Sequence, residues 1–147
     1  KVSFAVFKAK LEGRKLEAVH RRGKYFWFDL TPSGSSPVFH LGLGGSITIK
    51  GVQPFEYKDF KVEDDTWPPE FLALELIFTN DIRLAFTDGW NPNTHRVWLL
   101  DANPLVVSPV SKLAPDPIIG PFEFSHFYDS LHKRRGKIKV VLLDQNV

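Results

Sequence analysis

The feature that most constrains this chain is an apolar period of two that begins near Lys15 and returns after every turn-rich break as far as Leu100. Side chains that alternate one by one can bury a common face only on extended backbone, where successive Cβ atoms point to opposite sides. Leu16 and Ala18, then Tyr25 and Trp27 against Phe26 and Phe28, up to Leu30, read as strand, turn, strand, with Arg22-Gly23 at the turn. Two strands follow at 38–41 and 46–50, joined by the glycine-rich corner Gly42-Leu43-Gly44-Gly45. Residues 71–79 and 82–87 alternate around Asn80-Asp81, a hairpin signature. A seventh strand is expected at 95–100, after the turn-rich loop 88–94.

Helical period appears only at the two ends of the chain. Phe4, Phe7 and Leu11 stand at i, i+3 and i+7, with Gly13 where a helix would stop. Phe124, Phe127, Tyr128 and Leu131 share another helical face, with basic residues in the last turn and Gly136 as its expected end. The final apolar run, 138–143, is short enough for one more strand, on which Lys139 would alternate with apolar neighbours. Residues 103–121 are broken by prolines, and 51–69 lack clean periodicity. Seven strands with peripheral helices predict a mainly β fold, a two-layer antiparallel β-sandwich or flattened barrel, rather than a βαβ sheet. Residues 1–143 are expected to form one domain and 144–147 to begin a linker.

Composition narrows the function. At 147 residues and 43% apolar content the chain can bury one sizeable core, and its 13 Phe and 4 Trp are mostly core material. A net charge of only +2 announces no nucleic-acid partner by itself. Positive charge is nevertheless concentrated in 20–24 and 132–139, and negative charge in Glu63-Asp64-Asp65. With no cysteine there is no disulfide framework and no thiolate metal site, which suits an intracellular protein. No apolar stretch nears the roughly 20 residues that cross a bilayer. The absence of methionine leads us to expect a trimmed chain whose native start precedes Lys1.

Generic catalytic signatures are missing: no Walker loop, no Gly-x-Ser-x-Gly, no His-Glu-x-x-His and no dinucleotide fingerprint. The histidines His20, His40, His95, His126 and His132 never fall in close metal-ligand spacing. No metal site and no cofactor are therefore expected in this segment.

Five phrases carry what remains: GRKLEAVHRRGKYFWFDL, HLGLGGSITIKGV, WPPEF with LELIFTNDIRLAFTD, RVWLLDANPL with SPVSKLAPDPI, and FYDSLHKRRGKIKVVLLDQNV. In order and spacing over nearly the whole chain they resemble the formamidopyrimidine-DNA glycosylases, most closely the plant and fungal branch. The resemblance implies a monomeric base-excision-repair enzyme that flips an oxidised purine, such as 8-oxoguanine, out of duplex DNA. An N-terminal proline amine then cuts the glycosidic bond, and the strand is nicked by elimination through the Schiff base. A secondary amine is a competent nucleophile near neutral pH, and only extrusion exposes the sugar carbon. It further implies an intracellular protein with no membrane or small-molecule cofactor partner, acting, if eukaryotic, in the nucleus or also the mitochondrion.

Carried over residue by residue, Lys24 matches a lysine that contacts backbone phosphate; unaided, it reads as a solvated lysine after a turn. His40 matches a position at the DNA-facing end of its strand. Leu43 stands where the family usually has methionine, a side chain that enters the stack to fill the gap left by the flipped nucleotide; the competing account is a turn residue packed on the core. Lys139 matches a lysine near the lesion and its phosphates. No catalytic residue is assigned, because the family's Pro-Glu and first helix would precede Lys1 and its helix-two-turn-helix domain would follow Val147. The family's Arg-Arg-Phe loop after Phe-Thr-Asp is replaced by residues 89–96. Trp90 could supply the wedge there and His95 or Arg96 the polar contact, or the loop is degenerate. The expected function is thus an oxidised-purine glycosylase and AP lyase of which this chain is an inactive piece; the alternative is a catalytically silent relative kept as a nucleic-acid-binding or assembly module.

Overall fold

The structure is a computed structural model that describes residues 3–52, 66–89, 96–116, 118 and 120–144. Among these residues the expected class is found: seven strands in two largely antiparallel sheets, with short helices at the ends of the chain. The chain divides into two compact units, residues 1–39 with 97–147, and residues 40–96. Each unit is built on one sheet.

The first unit holds β1 (Lys15–Arg22), β2 (Tyr25–Thr31), β3 (Ser36–His40, whose last residue falls to the second unit) and β7 (Val97–Leu100), in the order β1-β2-β3-β7. β1 and β2 pair antiparallel with Arg22 opposite Tyr25, so the turn is Gly23-Lys24, one residue later than the sequence suggested. β3 pairs antiparallel with β7 from Ser36↔Leu100 to Phe39↔Val97. The alternation in β2 sorts its rings onto two faces. Trp27 packs with Val38 and Val110, flanked by Tyr25, Trp98, Leu100 and Leu113. On the other face Phe26 stacks flat on Phe39, centroids 4.6 Å apart, with Phe28 tilted against it at 5.3 Å. Burying one such phenyl ring contributes about 1.5–3 kcal/mol, so the three rings add substantially to the cohesion of the unit.

The proline-broken stretch is not an idle loop. Its short 3-10 turn Val110–Lys112 delivers the fully buried Val110 to Trp27, and Arg22 fixes the segment by donating to the carbonyls of Leu113 (2.8 Å) and Ala114 (3.2 Å). Helix α1 (Phe4–Leu11) is N-capped by the Ser3 hydroxyl, which accepts from the Val6 N–H. Phe7 and Leu11 are half-buried and Phe4 is exposed.

Two expectations at the C-terminal end are corrected. Helix α2 (Phe124–His132) stops four residues before Gly136, at a Lys133 cap. The run expected as a strand instead contains the short helix α3 (Ile138–Val141), closed by the Val141 N–H on the Lys137 carbonyl and the Leu142 N–H on that of Ile138. Branched side chains favour extended backbone only where a neighbouring strand supplies the ladder. Among the described residues no strand pairs with this run, and local helical bonds satisfy its backbone instead.

The second unit is the sheet β4-β6-β5, formed by β4 (Gly45–Ile49), β5 (Leu72–Ile77) and β6 (Arg83–Asp88), all antiparallel. Its β5–β6 hairpin turns through Asn80-Asp81 as expected, with the Phe78 N–H donating to the Ile82 carbonyl. The central strand β6 buries Ala85, Phe86, Thr87 and Asp88 in succession.

Candidate nucleic-acid interface

One end of the β4-β6-β5 sheet concentrates the unusual residues. Gly45 is opposite Asp88, and the Asp88 N–H donates to the Phe71 carbonyl at 3.1 Å. Three pieces of chain therefore leave the sheet side by side: the corner 41–44 ahead of β4, Gly89 beyond β6 and Phe71 ahead of β5.

The corner is a tight turn closed by the Gly45 N–H on the Leu41 carbonyl at 2.7 Å. A Cβ on Gly45 would come within 2.4 Å of that oxygen, so the closure requires glycine. Gly42 adopts φ +57, and a Cβ there would lie 2.1 Å from Arg96 Nη1; the guanidinium rests directly on the bare α-carbon. From that position Arg96 Nη1 donates to the Leu41 carbonyl at 3.2 Å and lies 3.1 Å from Asp88 Oδ1. The side chains of Arg96 and Asp88 are only 16% and 4% exposed. The Arg96 carbonyl accepts from the His40 N–H at 2.9 Å, so Arg96 is held at both ends.

A buried ion pair is weak evidence for net stability, since desolvation offsets much of the Coulomb gain. The bond from Arg96 Nη1 to the Leu41 carbonyl ties the guanidinium to the turn. The turn presents Leu43, 81% exposed, at its tip.

Phe71 at the neighbouring strand start is distorted twice over. Its φ is +57, in a region bulky residues rarely occupy, and the register of β5 slips between Leu72 and Leu74, leaving Ala73 as a bulge. Its side chain lies against Gly89, where a Cβ would be 3.2 Å from Phe71 Cδ2, yet the residue remains 58% exposed.

Of the residues singled out in the sequence, the structure brings His40, Leu43 and Arg96 together here. Arg96 is turned inward onto Asp88 and Leu41 as a brace of the turn. Lys24, in the exposed β1–β2 turn, and Lys139, exposed on α3, belong to the other unit. Trp90 and His95 lie outside the described residues, as do Gln145 and Asn146 of the expected linker. Sequence reasoning missed the Gly42–Arg96–Asp88 arrangement and Phe71; the only signal for the first was the glycine density of the corner. Among the described residues, no three His, Asp or Glu side chains stand close enough to hold a metal ion, and no helix is long and apolar enough to cross a membrane.

Comparison with known proteins gives a consistent picture. The model of the formamidopyrimidine-DNA glycosylase N-terminal domain matches residues 1–92. A formamidopyrimidine-DNA glycosylase of Arabidopsis thaliana is 36% identical over 98% of this chain, which spans 36% of that relative. One from Acidothermus cellulolyticus is 32% identical over 97% of the chain and 45% of the relative. Among solved structures, the MutM (Fpg) protein of Thermus thermophilus superposes with a TM-score of 0.69 at 27% identity, covering 94% of this chain and 44% of that one. Lactococcus lactis Fpg, solved with DNA containing Fapy-dG, shares the fold with a TM-score of 0.72 at 23% identity, over 97% of this chain and 48% of its own. The chain thus spans less than half the length of each of these proteins.

Proposed function

This chain belongs to the formamidopyrimidine-DNA glycosylase family through its N-terminal domain, and from that premise we propose that the whole protein is a base-excision-repair DNA glycosylase with AP lyase activity. Its substrate is duplex DNA carrying oxidised purines, 8-oxoguanine or formamidopyrimidines, and it acts as a monomer in the nucleus or mitochondrion. The residues described here form part of its DNA face. The observation that supports this reading best is Leu43, exposed at the tip of a turn whose position Arg96, Asp88 and Gly42 fix.

Extruding a nucleotide leaves a gap in the stack, and an apolar wedge that fills it offsets part of the unstacking cost of a few kcal/mol. A wedge on a loose turn would fold back onto the protein and lose that advantage. Leucine, less pliable than methionine, suits a turn already fixed in place. Lys24 and Lys139 are compact exposed cations suited to phosphate oxygens, which position the duplex without reading sequence. Arg96 acts here through the turn. The amine attack on the sugar is assigned to no residue of this chain.

A second reading, a catalytically silent family member that binds DNA, is favoured by one feature: the Arg-Arg-Phe loop is replaced, and Arg96, its remaining described cation, is engaged within the protein. Borohydride trapping of the whole protein on duplex DNA with 8-oxoguanine separates the two. The enzyme gives a covalent adduct; duplex binding without an adduct selects the silent module; neither adduct nor binding sinks both. For the DNA face, Lys24→Ala and Lys139→Ala should each reduce the slope of log affinity against log salt by about 0.9.

A further inference from the structure

We propose that Phe71 is a second DNA-contacting side chain, one whose ring stacks on a nucleobase unpaired beside the Leu43 wedge. The inference rests on the DNA-binding reading above and adds to it a residue that neither sequence spacing nor the wedge position points to.

Three observations carry it. The hydrogen-bonded row Gly45, Asp88, Phe71 puts Phe71 at the same end of the same sheet as the corner bearing Leu43. The ring is largely exposed although an aromatic side chain normally gains by burial, and the β4-β6-β5 sheet does bury Phe86. Finally, its exposure is bought with backbone distortion: a left-handed φ at a bulky residue followed at once by a bulge at Ala73. Each is uncommon, and strained conformations of this kind concentrate where a side chain must be aimed. The Phe71 carbonyl, bonded to the Asp88 N–H, ties this aim to the residue that holds Arg96.

The ligand chemistry follows from the side chain. A phenyl ring offers neither charge nor hydrogen bond, so it has nothing for a phosphate and no means of telling one base from another. It offers a flat face, which any unstacked base accepts. In intact duplex both faces of a base are occupied; a face becomes available when the helix is opened at a flipped nucleotide. Phe71 therefore contributes to complexes with opened DNA and little to binding of undamaged duplex.

The test uses the whole protein and duplexes with 8-oxoguanine opposite cytosine, with 2-aminopurine beside that cytosine as a fluorescent reporter of stacking. Phe71→Gly removes the ring and suits the positive φ, so its Tm should equal or exceed that of the wild type. Its affinity for the lesion duplex should fall about tenfold, with 2-aminopurine brighter in the complex, while affinity for undamaged duplex stays within twofold. Phe71→Trp should bind the lesion duplex like the wild type. Phe71→Leu, which fills space against Gly89 but cannot stack, should behave like Phe71→Gly. Equal lesion affinity and equal fluorescence for wild type and Phe71→Gly would overturn the proposal, as would rescue by Phe71→Leu, which marks a packing role. Failure of the DNA-binding reading shows itself separately, as wild-type protein that does not bind either duplex.

Discussion

The two sheets are held by different physics. In the β1-β2-β3-β7 sheet, cohesion comes from rings packed on rings and from Val110 seated on Trp27, contacts that are individually weak and nearly indifferent to direction. At the end of the β4-β6-β5 sheet the contacts are few and specific to position: one guanidinium bonded to one carbonyl, beside one carboxylate and one bare α-carbon. Apolar packing sets how firmly the protein folds, and these few contacts set where a single side chain, Leu43, stands. A fold can tolerate approximate packing. The proposed wedge role of Leu43 would not tolerate an approximate position.

That contrast can be broken experimentally. The largest effect is expected from Phe39→Ala, which empties the centre of the ring cluster and should cost about 3–5 kcal/mol in denaturant unfolding; a loss below 1 kcal/mol would mean that the cluster is not what holds its sheet. Arg96→Ala leaves the Asp88 carboxylate buried without its cation and should cost about 3 kcal/mol, near the lower limit for such pairs because Arg96 keeps some exposure. The double variant Arg96→Met with Asp88→Asn should recover most of that stability and none of the lesion binding, since packing is restored and placement is not. Full recovery of both would erase the distinction drawn between the two sheets. Gly42→Ala should cost about 2 kcal/mol, combining the left-handed penalty of about 1–2 kcal/mol with a displaced guanidinium. Unlike Phe39→Ala, it should weaken lesion binding more than its loss of Tm accounts for.

The smallest effect lies back in the first unit. The Ser35 hydroxyl, which donates to Asp101, and the nearby Lys10 ammonium hold the Asp101 carboxyl below the usual carboxylate range. A lowered folded-state pKa contributes stability above the ordinary carboxylate range and loses it as pH falls through the folded value. Asp101→Asn should therefore be slightly less stable than wild type near neutral pH, and the two Tm curves should converge in acid. Curves that stay parallel would assign the effect to packing.

These differences also explain what was legible in the sequence. Alternation in Tyr25-Phe26-Trp27-Phe28 announces which ring faces which way, because period two is a property of extended backbone itself. That rule located the strands within 15–30 and 71–87, and the turn-rich breaks located β3, β4 and β7, with some ends displaced by a residue or more. The brace of the corner was not found, because it joins Gly42, Asp88 and Arg96 across three distant stretches and uses residue types that usually sit in turns or water. Residues 138–143 misled for a related reason: their composition suits a strand, but whether a strand forms depends on a partner that composition does not reveal. Phe71 looked like the first residue of an ordinary strand, and only its φ and the bulge after it distinguish it.

The Arg96–Asp88 pair has one more effect. Asp88 ends β6 and Arg96 precedes β7, so the pair joins the two stems of the segment 89–95. A segment whose feet are already pinned can change length or sequence at small entropic expense, about 0.6 kcal/mol for each doubling. The clamp thus holds together two positions eight residues apart in sequence, so that Asp88 at the end of β6 and Arg96 ahead of β7 are kept adjacent beside the corner that presents Leu43.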